Sequence, residues 1–268
     1  MAEALARLRG VTARYDGVTA LDLVDLDLPD GRITAFCGPN GSGKSTALRV
    51  MRRLHAPSNG TVEIAGRPLH DWSPKELAKS VAMLSQSPDA PPELTVQDLV
   101  RLGRFAHKRG FRGQQSEDRA ACDRALEVTE MAHLAERPIG RLSGGQLQRA
   151  WIAMTIAQET PHILLDEPTN HLDVSHAFEV LELVKRLNRT EGRSIVLVLH
   201  DLNMAMRYAD HVVLFDQGRV AVAGPTRSVL TEDHITEVFG IECRLIEIEG
   251  QDVPAVVPLP SEQAILAR

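Results

Sequence analysis

GPNGSGKST, Gly38 to Thr46, is the stretch on which the fold turns. Before it stands RITAFC, Arg32 to Cys37, a short β-like run, and after it ALRVMRRL places Leu48, Met51 and Leu54 at helical spacing. The pattern therefore predicts strand, glycine-rich turn and helix. Gly38, Gly43, Lys44 and Ser45 fit GxxxxGK[ST] in the strand-to-helix setting that this motif requires. Glycines let the backbone curl so that successive N–H groups point inward, and the helix that follows adds its positive end, which together make an anion cradle. Gly38, Pro39, Asn40, Gly41, Ser42, Gly43, Lys44, Ser45 and Thr46 are thus the candidate nucleotide-phosphate set. Lys44 is expected to reach the β- and γ-phosphates, and the Ser45 hydroxyl to ligate Mg²⁺.

Moving outward, three further apolar runs read as strands buried on both faces: HILLD after Pro161, SIVLVLH from Ser194 to His200, and HVVLFDQG from His211 to Gly218. Helical stretches at Val174 to Leu187 and Leu202 to Ala209 separate them, so the chain reads as βαβ repetition around a mostly parallel α/β sheet. Leu8 to Leu28 alternates in the antiparallel manner and closes on the turn Pro29 to Gly31. Between Gln86 and Pro161 strand-like runs give way to helical spacing, from Val96 to Arg104 and from Ser116 to Leu134, bracketed by SPDAPPE and RPIGRLSGG. The expected layout is a nucleotide-binding core over 1–86 and 158–240, a helical subdomain over 87–157, and an extension over 241–268 in which IECRLIEIEG reads as one short strand.

Asp166 ends the HILLD strand, where strand C-termini open onto the ligand crevice of a doubly wound sheet, and Glu167 follows at once. Successive residues diverge at a strand end, so one acid can complete a magnesium shell while the other faces the attacking water.

Composition bounds the rest. A chain of 268 residues with 43% apolar and 25% charged residues is ordinary for a globular protein, which excludes disordered, collagenous and disulfide-scaffold classes. The longest aliphatic run, Ile195 to Leu199, is far short of a membrane span, and MAEALARLRG lacks a signal-peptide core, so neither insertion nor export is expected. Cys37, Cys122 and Cys243 are widely spaced and fit small buried residues in a reducing compartment. A net charge of −6 and 4% aromatic residues argue against nucleic acid as the partner.

RLSGGQLQRA, Arg141 to Ala150, resembles the LSGGQ signature of the ABC-transporter ATPases and stands just upstream of the acid-tipped strand. The resemblance extends along the chain to about Gly240. GPNGSGKST looks like the Walker A loop, ILLDEP like the Walker B strand, and TNHLD, Thr169 to Asp173, like the D-loop. It implies a P-loop NTPase of the ABC ATPase cassette type: a RecA-like core, an N-terminal antiparallel β subdomain and an inserted helical subdomain. It also implies ATP and Mg²⁺ as ligands, with Tyr15 stacking on adenine, Ser45, Gln86 and Asp166 around the metal, and Glu167 as base. His200 would be the switch histidine, with Lys44 and Gln86 completing the catalytic set. Ser143, Gly144, Gly145 and Gln146 would reach the nucleotide of a second copy, and Asp173 would lie in the D-loop, so a head-to-tail homodimer is expected. Ser143 is equally readable as a helix N-cap, and the two readings coexist because a capped helix N-terminus is a good phosphate ligand.

Within that family AMLSQ, ELTVQDLVRLGR, the run VLHDLN to RYAD, and VLTEDHITEVFGI resemble ATPase subunits of importers for iron–siderophore, haem and cobalamin. Ferric siderophore is the favoured cargo, with haem or cobalamin as alternatives. Ser85 stands before Gln86 where siderophore cassettes more often read PQ, which leaves the subgroup open. Separate permease subunits, an extracytoplasmic binding protein acting through them, and a peripheral place on the cytoplasmic face of the membrane follow from the resemblance. The rival classes are a DNA-repair or translation ABC ATPase, which usually carries a long coiled coil or tandem cassettes, and a non-hydrolysing regulatory module. The basic stretch Arg101, Arg104, Lys108, Arg109 and Arg112 reads either as a solvated loop or as a contact with permease or anionic headgroups.

Overall fold

The computed structural model describes residues 4–86, 88–107 and 115–259. The chain runs β1 (Ala4–Tyr15), β2 (Val18–Pro29), β3 (Ile33–Cys37), α1 (Lys44–Met51), β4 (Asn59–Ile64) and β5 (Arg67–Pro68). It continues through α2 (Pro74–Ser80), β6 (Val81–Leu84), α3 (Val96–Leu102), α4 (Gln115–Val128), α5 (Gly144–Ala157), β7 (His162–Leu165) and α6 (Val174–Glu191). It closes with β8 (Ser194–Val198), α7 (Leu202–Tyr208), β9 (His211–Asp216), β10 (Arg219–Pro225), α8 (Thr226–Val229), α9 (Glu232–Phe239), β11 (Cys243–Ile246) and β12 (Ala255–Pro258). Two compact units share the chain: one holds residues up to Leu69 and from Val196 onward, the other His70–Ile195.

In the first unit β2, β1, β4 and β5 form an antiparallel sheet in that order. The alternation seen from Leu8 to Leu28 is real: Leu8, Val11, Leu21, Val24, Leu26 and Leu28 are buried. A second sheet in this unit pairs β3 parallel to β9, with β10 antiparallel beyond it. Every residue of β3 is buried, as a strand covered on both faces requires, and Leu199, just after β8, donates its N–H to Phe36 O at 3.1 Å. The predicted helix after the phosphate loop stops at Met51, because Arg53 turns to φ +61°, and Leu54 is left exposed rather than on a buried face.

The second unit pairs β6 parallel to β7, so their carboxyl ends emerge on the same side. Helices α3, α4 and α5 fill the stretch the sequence assigned to helix. α3 tightens into a 3₁₀ turn over Gly103–His107. Gly103 lets the chain approach α5 closely, since a Cβ there would stand 2.2 Å from Met154 O. The helix expected from Ser116 to Leu134 is broken in two, since α4 ends at Val128, Glu130 adopts φ +59°, and Ala132–Leu134 form a separate turn. Gly192 at φ +66° ends α6 in the left-handed C-terminal manner.

Arg104 corrects the reading of the basic stretch. Instead of meeting solvent or a partner, it is buried in the second unit, donating to Asp118 Oδ1, Glu159 Oε2 and Ala157 O, each at 2.8 Å. Such a cation is retained only because all its neighbours satisfy it. Arg101 pairs with Asp98 one helical turn back; Lys108, Arg109 and Arg112 lie outside the described residues. The expected strand in IECRLIEIEG is half of a hairpin, β11 pairing antiparallel with β12. Asn203 of α7 grips that hairpin like a strand edge, donating to Val256 O and accepting from Val256 N–H at 2.7 Å. All three cysteines are buried, and burial pushes the Cys37 thiol, at the end of β3, up to about 12. Among the described residues no helix is long and apolar enough to cross a membrane.

Candidate active site

The phosphate loop joins β3 to α1 inside the first unit. Its glycines are there for backbone reasons. Gly38 has φ +145° and a Cβ on it would strike Phe215 O at 2.1 Å; Gly43 has φ +103° and a Cβ would meet Ala20 O at 2.6 Å. Gly41, at φ +77°, has nothing within 4 Å of its missing Cβ, so that position faces open space. Gly43 starts α1 with no side-chain cap, which leaves the first-turn N–H groups directed into the loop. The Lys44 side chain is buried under the loop, and its Nζ donates to Gly38 O at 2.9 Å and Pro39 O at 2.7 Å. A cation is thereby fixed at a glycine cradle that terminates in a helix N-terminus, the arrangement that polyphosphate binding needs.

Tyr15 ends β1 in the same unit, 37% exposed, with its ring stacked on that of His55 at 4.1 Å between centroids. One face of the tyrosine is thus backed by a second ring. His55 was not read from the sequence, and no local pattern announces it, since it lies in the irregular segment after α1. Stacked aromatic pairs contribute about 0.5–1.5 kcal/mol. If Tyr15 receives adenine, as the resemblance implies, His55→Ala should weaken ATP binding about two- to tenfold while leaving the affinity for inorganic triphosphate alone; equal loss for both, measured by calorimetry, would take the Tyr15–His55 pair out of that role.

Asp166 and Glu167 follow β7 in the second unit. Asp166 is buried and donates its N–H to Leu84 O, which locks the strand end beside β6. Glu167 adopts φ +54°, a conformation rare for its type and common where a side chain must be re-aimed. Because β6 and β7 run parallel, Gln86 arrives beside it: Gln86 Nε2 donates to Glu167 Oε2 at 2.6 Å. Asn170 Nδ2 donates to the same oxygen at 2.8 Å. Asn170 lies inside the TNHLD stretch that resembles the D-loop, of which the sequence assigns a role to Asp173 alone; its position three residues after Glu167, on a turn, is the available signal.

Ser143 caps α5. Its hydroxyl accepts the Gln146 N–H at 3.3 Å, and Gln146 Oε1 accepts the Ser143 N–H at 3.1 Å, a reciprocal capping box. A Cβ at Gly145 would lie 2.5 Å from the ring of the half-exposed His176, which would have to swing aside, whereas at Gly144 nothing lies within 4 Å. Asp173 caps α6, accepting both the backbone N–H of His176 at 2.9 Å and bonding its Nδ1 at 2.8 Å. These bonds, that of the backbone N–H first, hold the Asp173 carboxyl below the usual range. His200 stands exposed after β8 in the first unit, immediately before Asp201, which caps α7.

Ser45 offers a hydroxyl in the first unit, and Gln86 and Asp166 offer an amide oxygen and a carboxylate in the second, each a hard oxygen donor of the kind that Mg²⁺ prefers; no group of three or more His, Cys, Asp or Glu that could hold a metal occurs among the described residues.

Residues 21–170 match the ABC transporter family. The chain is 42% identical over 261 residues to the ferric enterobactin transport ATP-binding protein FepC of Escherichia coli (strain K12), covering 97% of this chain and 96% of that protein. It is 46% identical over 231 residues to the iron(3+)-hydroxamate import ATP-binding protein FhuC of Bacillus subtilis (strain 168), with 86% of each covered. A dimeric ATP-binding cassette solved in a post-hydrolysis state with ADP and Pi superposes with a TM-score of 0.73 at 31% identity, covering 83% of this chain and 99% of that one. The family match over residues 21–170 and 42% identity along nearly the whole length of FepC place this chain, with its glycine cradle, acid-closed strand and capped helix, in the ABC transporter family.

Proposed function

We propose that this chain is the ATP-hydrolysing subunit of an importer that takes up a metal chelate, with ferric siderophore as the cargo. The observation that carries the catalytic part is Glu167, turned out of a strand end and held by Gln86 and Asn170. What supports the cargo class is the near full-length similarity to transport ATP-binding proteins for ferric enterobactin and iron(3+)-hydroxamate.

In this mechanism Tyr15 stacks on adenine, the loop from Gly38 to Thr46 receives the phosphates, and Lys44 neutralises charge on the β- and γ-oxygens. Ser45, Asp166 and Gln86 would hold Mg²⁺, which when bound withdraws charge from the phosphate oxygens. Glu167 accepts a proton from water as the water oxygen bonds to the γ-phosphorus. The bond from that phosphorus to the β–γ bridging oxygen breaks, its electron pair leaves on ADP, and phosphate is released. His200 holds the water and γ-phosphate in line. The α5 N-terminus of a second copy, with Ser143, Gly144, Gly145 and Gln146, faces the γ-phosphate, so ATP closes a homodimer and hydrolysis loosens it. The dimer drives separate permease subunits from the cytoplasmic face of the membrane, and a substrate-binding protein delivers the chelate to them.

Reconstitution with its permease in proteoliposomes tests this. ATPase activity should rise when binding protein loaded with ferric siderophore is supplied, and rise less with haem or cobalamin on theirs. Strongest stimulation by haem or cobalamin would reassign the cargo; stimulation by none of the three would overturn the import reading.

A further inference from the structure

Glu167 Oε2 carries two amide donors of different standing. Gln86 reaches it from the segment after β6, whereas Asn170 belongs to the same turn as Glu167 and travels with it. That turn is closed by the Asn170 N–H on Glu167 O at 3.1 Å. The Asn170 amide is also fixed in its sense: its Oδ1 accepts the His171 N–H at 3.1 Å, which directs Nδ2 at the carboxylate 2.8 Å away. A flipped amide would lose the first bond and set two oxygens against each other in the second.

We propose that Asn170 is a positioning residue for the hydrolytic base: its amide pins Oε2 and so fixes the rotation of the Glu167 carboxylate. The proposal rests on the reading of Glu167 as the base. The terminal torsion of a glutamate is broad and two-fold, so nothing in the side chain itself selects one orientation. A general base must nevertheless lie within hydrogen-bond reach of its proton along a defined direction. Gln86, on a separate segment, cannot guarantee that orientation if the loop after β6 moves; Asn170, bonded to the Glu167 backbone, keeps it through such a movement.

Two substitutions separate positioning from loop architecture. Asn170→Asp is isosteric and retains an oxygen for the His171 N–H, but replaces the donor to Glu167 by a second acceptor. Asn170→Ala removes both contacts. Both variants should lose about 10- to 100-fold in kcat, with KM for ATP changed less than about twofold. In a Glu167→Gln background, adding Asn170→Ala should leave the residual rate unchanged, because residues that act through one group are not additive. Wild-type kcat in Asn170→Asp, or a full multiplicative loss in the double variant, would overturn the proposal while Glu167→Gln alone stays inactive. An active Glu167→Gln would instead overturn the parent reading.

Discussion

Glu167→Gln is expected to bind MgATP as the parent chain does, to accumulate as an ATP-bound dimer, and to release phosphate about a thousandfold more slowly, within the range that loss of a general base produces. Several features of the site make this an informative substitution. Gln differs from Glu by one atom and keeps an acceptor for the Gln86 and Asn170 amides, so the turn at φ +54° has no reason to collapse. What disappears is the ability to take a proton. The phosphate loop, Lys44 and Ser45 are untouched, so nucleotide affinity should be retained, and ATP that is not consumed continues to favour the closed pair by mass action. Gel filtration with and without ATP, alongside phosphate release, reads both halves of the expectation. Wild-type turnover would remove Glu167 as the base, and hydrolysis lost without dimer accumulation would separate the base from the assembly reading.

What the sequence disclosed follows the range of the interactions involved. The strand, loop and helix around Gly38 to Thr46 are local, and the loop glycines are dictated by positive φ and close backbone approach, so this stretch and its two flanks suffice to read them. The capping box of Ser143 and Gln146 is legible for the same reason, being a bond between positions three apart. Gln86 on Glu167 joins residues 81 apart, and nothing short of the parallel pairing of β6 with β7 brings them together. His55 beneath Tyr15 is hidden likewise, the two meeting through the tertiary fold rather than through any spacing. Arg104 misled because charge patterning registers only the side chain: in a run of cations it reads as solvent-facing, and its burial depends on Asp118 and Glu159 arriving from distant segments. Helix lengths were overread where a single residue, Arg53 or Glu130, takes a left-handed conformation that apolar spacing does not reveal.

Gly144→Leu is expected to leave the isolated chain as stable as the parent, or slightly more so, and yet to abolish ATP-driven dimerisation and lower hydrolysis by more than about a hundredfold. The stability half follows from helix physics: Gly144 opens α5, has no neighbour within 4 Å of where a Cβ would stand, and Gly is roughly 0.5–1 kcal/mol worse than other residues in a helix. Nothing within the chain requires glycine there. The function half follows from the helix N-terminus that Ser143 caps: its positive dipole end and glycine backbone suit an anion approaching to backbone distance. An isobutyl group would occupy that approach from a second copy's ATP without disturbing the nucleotide held in the chain's own loop. Gly145→Ala supplies the contrast, since its Cβ would stand 2.5 Å from the half-exposed His176 ring and would push it off Asp173, so a modest fall in the melting temperature of the monomer is expected. If Gly144→Leu dimerises and hydrolyses like the parent, α5 is only a capped helix, and the contact with a second copy's nucleotide must be sought elsewhere.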